Sequence, residues 1–184
     1  MRRPAPTRFE SGTTLVEVLV SVLILSLGML SLSSMMAHAV QMPKLSGYRA
    51  IAANIAASHI ERIRANRAGF ESGDYDTASS YDASFAPIAA MSCEYPDCTV
   101  SSLATMDDAA TKQAARLSLP AGGVLTKCDP SPCTPNSMGD IWIMWQEPQS
   151  RAWFDPMSSD ICHTSVTAAF PNPRPRCMYV RFKP

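Results

Sequence analysis

Six cysteines and one isolated carboxylate are the side chains of this chain best placed to do chemistry. The cysteines are Cys93, Cys98, Cys128, Cys133, Cys162 and Cys177. An even count of thiols beyond an apolar segment points to disulfides formed in an oxidising compartment, the periplasm or the cell exterior. Six thiols allow fifteen connectivities. Local pairing is favoured, because Cys93-Glu-Tyr-Pro-Asp-Cys98 and Cys128-Asp-Pro-Ser-Pro-Cys133 enclose turn-forming residues. Cys162 and Cys177 are then left to close a proline-rich segment. On the chain-entropy model that loop gains about 3 kcal/mol, and each shorter loop about 2 kcal/mol. The two Cys-x4-Cys pairs also suit a four-thiolate zinc site, although structural zinc usually takes a tighter spacing. Neither pair is Cys-x-x-Cys, the arrangement of a redox-active dithiol.

The carboxylate is Glu17, the one acid in an apolar run from Leu15 to about Val40. That run holds roughly 26 residues, and about 20 span a bilayer as a helix. A charge at the centre of such a span costs on the order of 3 kcal/mol. Glu17 stands near the start of the run and therefore calls for a polar rim or a partner. Arg2, Arg3 and Arg8 precede the run, as in a secretory signal peptide, and Ala37-His38-Ala39 imitates a small-residue cleavage site. The apolar stretch far exceeds the roughly 7–15 residues of a signal-peptide core. An anchor that is never cut is the other plain alternative. Charge orients it weakly, since Lys44 and Arg49 nearly balance the three arginines.

Nothing else in the chain reads as a catalytic constellation. His38, His59 and His163 are isolated, and no Gly-x-Ser-x-Gly, phosphate loop or His-Glu-x-x-His is present. Trp142, Trp145, Trp153 and Phe154 read as core and loop anchors rather than a ligand platform. Asp74, Asp76 and Asp82 lack the spacing of a calcium loop. The expectation is a protein that is not an enzyme and uses no cofactor or metal. Basic and acidic residues balance at 16 each, and removal of Met1–Gly12 would leave 13 against 15. Such a balance gives no footprint for nucleic acid.

The elements that must carry these groups follow from periodicity and turn chemistry. Thr14 to about Met42 reads as a membrane helix, with a kink or short break at Pro43. Helix resumes beyond it, with Ile51, Ala52, Ile55, Ala56, Ile60 and Ile63 on one apolar face and Gly69 as a stop signal. Ser72 to Ser102 reads as a long loop. A second helix is expected from Met106 to Leu117, capped by Thr105, with Met106, Ala110, Ala114 and Leu117 as its buried stripe. Short strands are expected at Gly123–Lys127, Ile141–Glu147, Thr164–Phe170 and Cys177–Phe182, with Asn136 to Asp140 inside a connecting loop. Both faces of Ile141–Trp145 are apolar, which makes that strand central. About 140 residues beyond the apolar run suffice for one modest core.

The string Gly12-Thr13-Thr14-Leu15-Val16-Glu17-Val18-Leu19-Val20 resembles the processing site of the type IV pilin superfamily. In that family a short basic leader ends in Gly, and a Glu is the fifth residue of the apolar stretch that follows. Thr14, Leu15, Glu17, Val18, Leu19 and Val20 carry the match, Val16 is a mild substitution, and Thr13 stands where the family usually has Phe. Glu61-Arg62-Ile63-Arg64-Ala65-Asn66-Arg67-Ala68-Gly69 resembles the corresponding segment of the PilV minor pilins, and Leu119-Pro120-Ala121-Gly122-Gly123 a turn of that family. The resemblance is strong over residues 8–70, moderate over 103–126 and faint beyond.

Elements and resemblance together imply an α+β, type IV pilin-like fold. A long N-terminal helix, half in the membrane and half in the domain, would pack on a small antiparallel β-meander with a disulfide-tied loop region. Residues 1–12 would be the leader, 13–42 the transmembrane and assembly helix, and 43–184 the periplasmic globular domain. The resemblance implies cleavage between Gly12 and Thr13 by a prepilin peptidase, which also methylates the new amine. It assigns Glu17 to subunit assembly, where it meets the N-terminal amine of a neighbour. The implied partners are other minor pilins, the major pilin, the inner-membrane pilus assembly machinery and, before assembly, membrane lipid. The implied location is the bacterial inner membrane and then the pilus. A type II secretion pseudopilin shares the leader and helix, and a membrane-anchored binding module that never polymerises is the alternative from another class.

Overall fold

A helix that opens with Thr at its N-cap and Glu three residues later has the spacing of a capping box. The chain uses it at its first described residues. The carbonyl of Thr14 accepts from the backbone N–H groups of Glu17 (3.0 Å) and Val18 (3.3 Å), and the Thr14 hydroxyl oxygen faces the Glu17 N–H at 3.4 Å. In this computed structural model residues 14–94, 96–147 and 160–184 are described, without the side chains of residues 37, 38 and 40–45. The fold is α+β, and the chain divides into two compact units, Met1–Leu45 and Ser46–Pro184.

In the first unit, helix α1 (Leu15–Ala65) begins with the apolar segment. Leu15–Met36 is, among the described residues, the one helix long and apolar enough to cross a membrane, and none of it is buried. Its serines do not break the apolar surface. The hydroxyls of Ser21, Ser26, Ser31 and Ser33 donate to carbonyls three or four residues back in their own helix, at 2.7–3.0 Å. Back-bonding of this kind keeps a hydroxyl satisfied without water. The break expected at Pro43 is absent, since α1 is helical through that residue. A proline removes one backbone donor, and the bonds on either side hold the turn.

In the second unit, α1 presents the apolar face read from its periodicity. Ala52, Ala56 and Ile63 are buried to 1% exposure or less, with Ile55 and Ile60 beside them. They pack on one face of a three-stranded antiparallel sheet of β1 (Gly123–Asp129), β2 (Met138–Trp145) and β3 (Arg176–Phe182), in the order β1-β2-β3. Val124, Ile141, Ile143, Trp145 and Phe182 supply that face. The opposite face carries Leu125, Trp142, Met144 and Cys177, so the central strand is apolar on both sides. In register, Leu125 stands opposite Trp142, and Trp142 opposite Tyr179.

Three expectations need correction. Thr164–Phe170 is not a strand; Thr164–Ala169 forms the short helix α4, capped by His163. The sheet is β1-β2-β3 and does not include this segment, of which only Val166 is buried, so it shows no alternating face. The connection to β2 spans 130–137 rather than reaching Asp140, and the Ser137 hydroxyl closes it on the Pro130 carbonyl at 3.0 Å. The second helix of the sequence reading is longer and turned. A single turn of helix, α2 (Arg67–Glu71), follows α1, and α3 runs Val100–Ser118 with Thr99, not Thr105, as its cap. Thr99 and Ser102 bond reciprocally. The buried face of α3 is Ala104, Asp107, Asp108, Thr111, Ala115 and Arg116, whereas Ala114 lies exposed and Leu117 is 74% exposed. Polar groups of α1 and of the loop after α2 meet that face, so its polarity is matched rather than penalised.

Two of the three segments that carried the resemblance, 61–69 and 119–123, are close-packed joints. The Asn66 amide donates to the Tyr75 hydroxyl (3.2 Å) and to the Val100 carbonyl (2.9 Å), fastening the end of α1 to the start of α3. A Cβ on Gly69 would come within 2.7 Å of that amide nitrogen. In the turn after α3, a Cβ on Gly122 would meet the Ala115 carbonyl oxygen at 2.0 Å. The revised face of α3 makes a contrast testable by urea unfolding of the oxidised chain in detergent. Ile63→Ala should cost about 2–5 kcal/mol, and Leu117→Ala less than about 0.5 kcal/mol. Equal losses would return Leu117 to the core.

Candidate functional site

Glu17 sits in the first turn of α1 on an exposed helix. Among the described residues its carboxylate has no hydrogen bond or ion pair, and only its backbone is engaged. Around it, Leu15, Val16, Val18, Leu19 and Val20 are 51–77% exposed. The geometry is one acid at the end of an uncovered apolar surface. Such a surface suits lipid or other apolar helices, and the acid suits a cation or polar rim at that level. Gly12 and Thr13 lie outside the described residues, as do Trp153 and Phe154.

The six cysteines form Cys93–Cys98, Cys128–Cys133 and Cys162–Cys177, with Cα atoms 5.3, 5.5 and 5.2 Å apart. A disulfide sulfur offers no thiolate to zinc, so the Cys-x4-Cys pairs are crosslinks here. Asp76 lies beside Cys128 and Cys133, but its carboxylate is held by the Lys127 ammonium. The three aspartates weighed for calcium go to separate partners. Asp74 accepts from Ser72 and Ser101, Asp76 takes Lys127, and Asp82 takes Arg116 at 2.8 Å. Arg116 is buried and also donates to the carbonyls of Ser80 and Ser84, which pins the loop over the sheet. Near the last disulfide, Asp160 accepts from the Cys177 N–H (3.1 Å), from Arg176 (2.8 Å) and from Arg49 of α1 (3.3 Å).

A buried polar seam joins α1, α3 and β1, and the sequence reading missed it. Asp107 accepts from Arg62 (3.1 Å) and from the Tyr75 hydroxyl (2.8 Å). Burial above all pushes the Tyr75 phenol up from its ordinary range. His59 is fully buried between Thr111 Oγ1 (2.8 Å) and Thr126 Oγ1 (3.2 Å). The Thr111 hydroxyl spends its proton on the Asp107 carbonyl at 2.8 Å, so His59 Nδ1 carries a proton and donates to Thr111. Nε2 then accepts from Thr126. The next arginines are also used locally, Arg64 at the end of α1 by Glu61 and Arg67 at the start of α2 by Glu71, each at 2.7 Å. The one signal for the seam was His59 falling on the apolar face of α1, four residues after Ile55.

Comparison with protein-family models, with curated proteins and with solved structures gives no match to this chain. Among the described residues, the feature with the clearest functional meaning is therefore physical: the uncovered apolar helix and its single acid.

The seam has a measurable consequence. Burial lowers the His59 pKa from 6.5 to about 4, opposed by Asp107 and reinforced by Arg62 and Lys112. The unfolded chain takes up a proton on this ring below pH 6.5, and the folded chain only below about pH 4. Stability should therefore fall as pH drops through this window, by at most about 3 kcal/mol, and level off below it. In His59→Gln, urea unfolding in detergent should show a flatter pH dependence between pH 6.5 and 4. A slope unchanged by the substitution would contradict the assignment.

Proposed function

We propose that this chain is a minor pilin of the PilV kind, a subunit of a type IV pilus. In this reading it is inserted into the bacterial inner membrane with its second unit in the periplasm. A prepilin peptidase removes Met1–Gly12, and the subunit moves into the pilus or its priming complex. Leu15–Met36 first faces lipid and then faces the corresponding helices of other minor pilins and of the major pilin. Glu17 meets the new N-terminal amine of a neighbouring subunit.

The observation that carries the reading is the 22-residue apolar segment, none of it buried, with one acid in its first turn. An anchor alone needs no acid there, whereas an assembly contact does. The Gly12-Thr13 junction and its basic leader support it from the sequence. The α+β architecture, with the apolar face of α1 in the core of the second unit, is compatible with a pilin domain. Three disulfides suit an exported chain.

N-terminal sequencing of the mature protein tests the processing step. The expected first residue is Thr13, with or without a methyl group on its amine, and Gly12→Ala should leave the chain uncut. A mature chain starting at Met1, or at Val40 after ordinary signal-peptidase cleavage, would overturn the pilin reading. Normal maturation of Gly12→Ala would do the same.

A further inference from the structure

Outside the apolar segment, the most exposed large apolar side chains among the described residues are Leu117 (74%), Phe85 (71%) and Ile161 (65%). A single exposed apolar residue is ordinary on a protein surface. These three share one end of the unit Ser46–Pro184, and polar contacts locate that end. Helix α3 runs antiparallel to α1, because Asn66 bonds the Val100 carbonyl, Arg62 bonds Asp107 and His59 bonds Thr111. Leu117, six residues past Thr111, therefore comes level with Ala53, six residues before His59. That is the end by which α1 enters the unit. Arg116 donates to the Ser84 carbonyl, which sets Phe85 at the same end. Ile161 follows Asp160, whose carboxylate accepts from Arg49 of α1 at 3.3 Å. Val100, 45% exposed, marks the opposite end beside Asn66, about 30 Å of helix beyond Ser46.

Chain connectivity says what lies nearest to that end. Ten residues of chain lead from Met36, the last residue of the segment apolar enough to cross a membrane, to Ser46, and they reach at most about 35 Å. In a chain anchored by that segment, the end carrying Leu117, Phe85 and Ile161 is the one held near the bilayer surface. The acids named there are matched by cations, Asp82 by Arg116 and Asp160 by Arg49 and Arg176, so they do not oppose an anionic lipid surface. Tethering also makes three side chains sufficient, because docking is then intramolecular and needs no second encounter.

We propose that Phe85, Leu117 and Ile161 dock the unit Ser46–Pro184 on the lipid surface, with their side chains in the headgroup layer of the bilayer that holds the apolar segment. The inference rests on the anchor part of the proposed function and not on its filament part.

The test uses the full oxidised chain in nanodiscs of phosphatidylethanolamine and phosphatidylglycerol, labelled with 5-fluorotryptophan and followed by fluorine NMR. Phe85→Trp, Leu117→Trp, Ile161→Trp and, as the far-end control, Val100→Trp each add one signal to the parent spectrum. All four positions are exposed, so urea stability should stay unchanged. A lipid with a nitroxide at its headgroup should broaden the first three added signals and leave the Val100→Trp signal sharp. A water-soluble gadolinium chelate should do the reverse. Adding Phe85→Ser to Leu117→Trp should lower the ratio of docked to undocked unit about tenfold, with a matching loss of broadening by the lipid. Sharp signals at all four positions beside the nitroxide lipid would overturn the proposal and leave these residues to a protein partner. So would equal broadening at all four, or broadening unmoved by Phe85→Ser. A chain that fails to co-elute with the nanodiscs would overturn the anchor and the proposal together, whereas the other failures leave the anchor standing.

Discussion

The apolar surface of Leu15–Met36 has to leave water, and most of what this chain can do follows from that requirement. Fifteen large apolar side chains of the segment are 51–77% exposed. Burial of such a side chain is worth about 1.5–3 kcal/mol, so the set amounts to tens of kcal/mol. A folded domain is held by only about 5–15 kcal/mol in total. Among the described residues nothing covers this surface, and in the proposed reading lipid covers it first and helices of other subunits later. The two covers differ in what they ask of Glu17. Lipid favours its absence or its place at the rim, and in the proposed reading a neighbouring subunit's amine gives it a cation to meet.

The same helix then takes on a second task in the unit Ser46–Pro184. Its apolar stripe meets the inner face of the sheet, while its polar flank enters the seam of His59, Arg62, Asp107, Tyr75 and Thr111. A seam of this kind contributes geometry more than net stability, because each bond replaces one to water. Breaking one member strands the others, since Asp107 alone serves Arg62, Tyr75 and, through its carbonyl, Thr111. The consequence is a fixed rotation of α3 against α1. Disulfides finish the loops that have too little apolar content to hold themselves, at 93–98, 128–133 and 162–177.

Apolar periodicity was enough to read the buried face of α1 and the central place of β2. It failed for α3. There the expected stripe is half-buried at Met106 and Ala110 and exposed at Ala114 and Leu117, and the buried stripe contains two aspartates. A rule that places apolar residues inside cannot see polar residues whose partners come from elsewhere in the chain. Thr164–Phe170 misled because β-favouring residues set a propensity and not a pairing partner, and this segment pairs with none of the three strands. Glu17 and the Gly12-Thr13 junction are read from a local string alone, and Gly12 and Thr13 lie outside the described residues. The seam of His59, Asp107 and Tyr75 was not legible, because its members come from α1, α3 and the loop between them.

The central claim is that Leu15–Met36, led by Glu17, carries this chain into a filament. The direct measurement is the amount of the chain in sheared filaments relative to the amount in membranes, for wild type and Glu17→Ala. The account predicts that wild type is present in the filaments and that the ratio falls in the variant, while membrane insertion and leader removal continue. Absence of wild type from the filaments, or a ratio unchanged by the substitution, would contradict it.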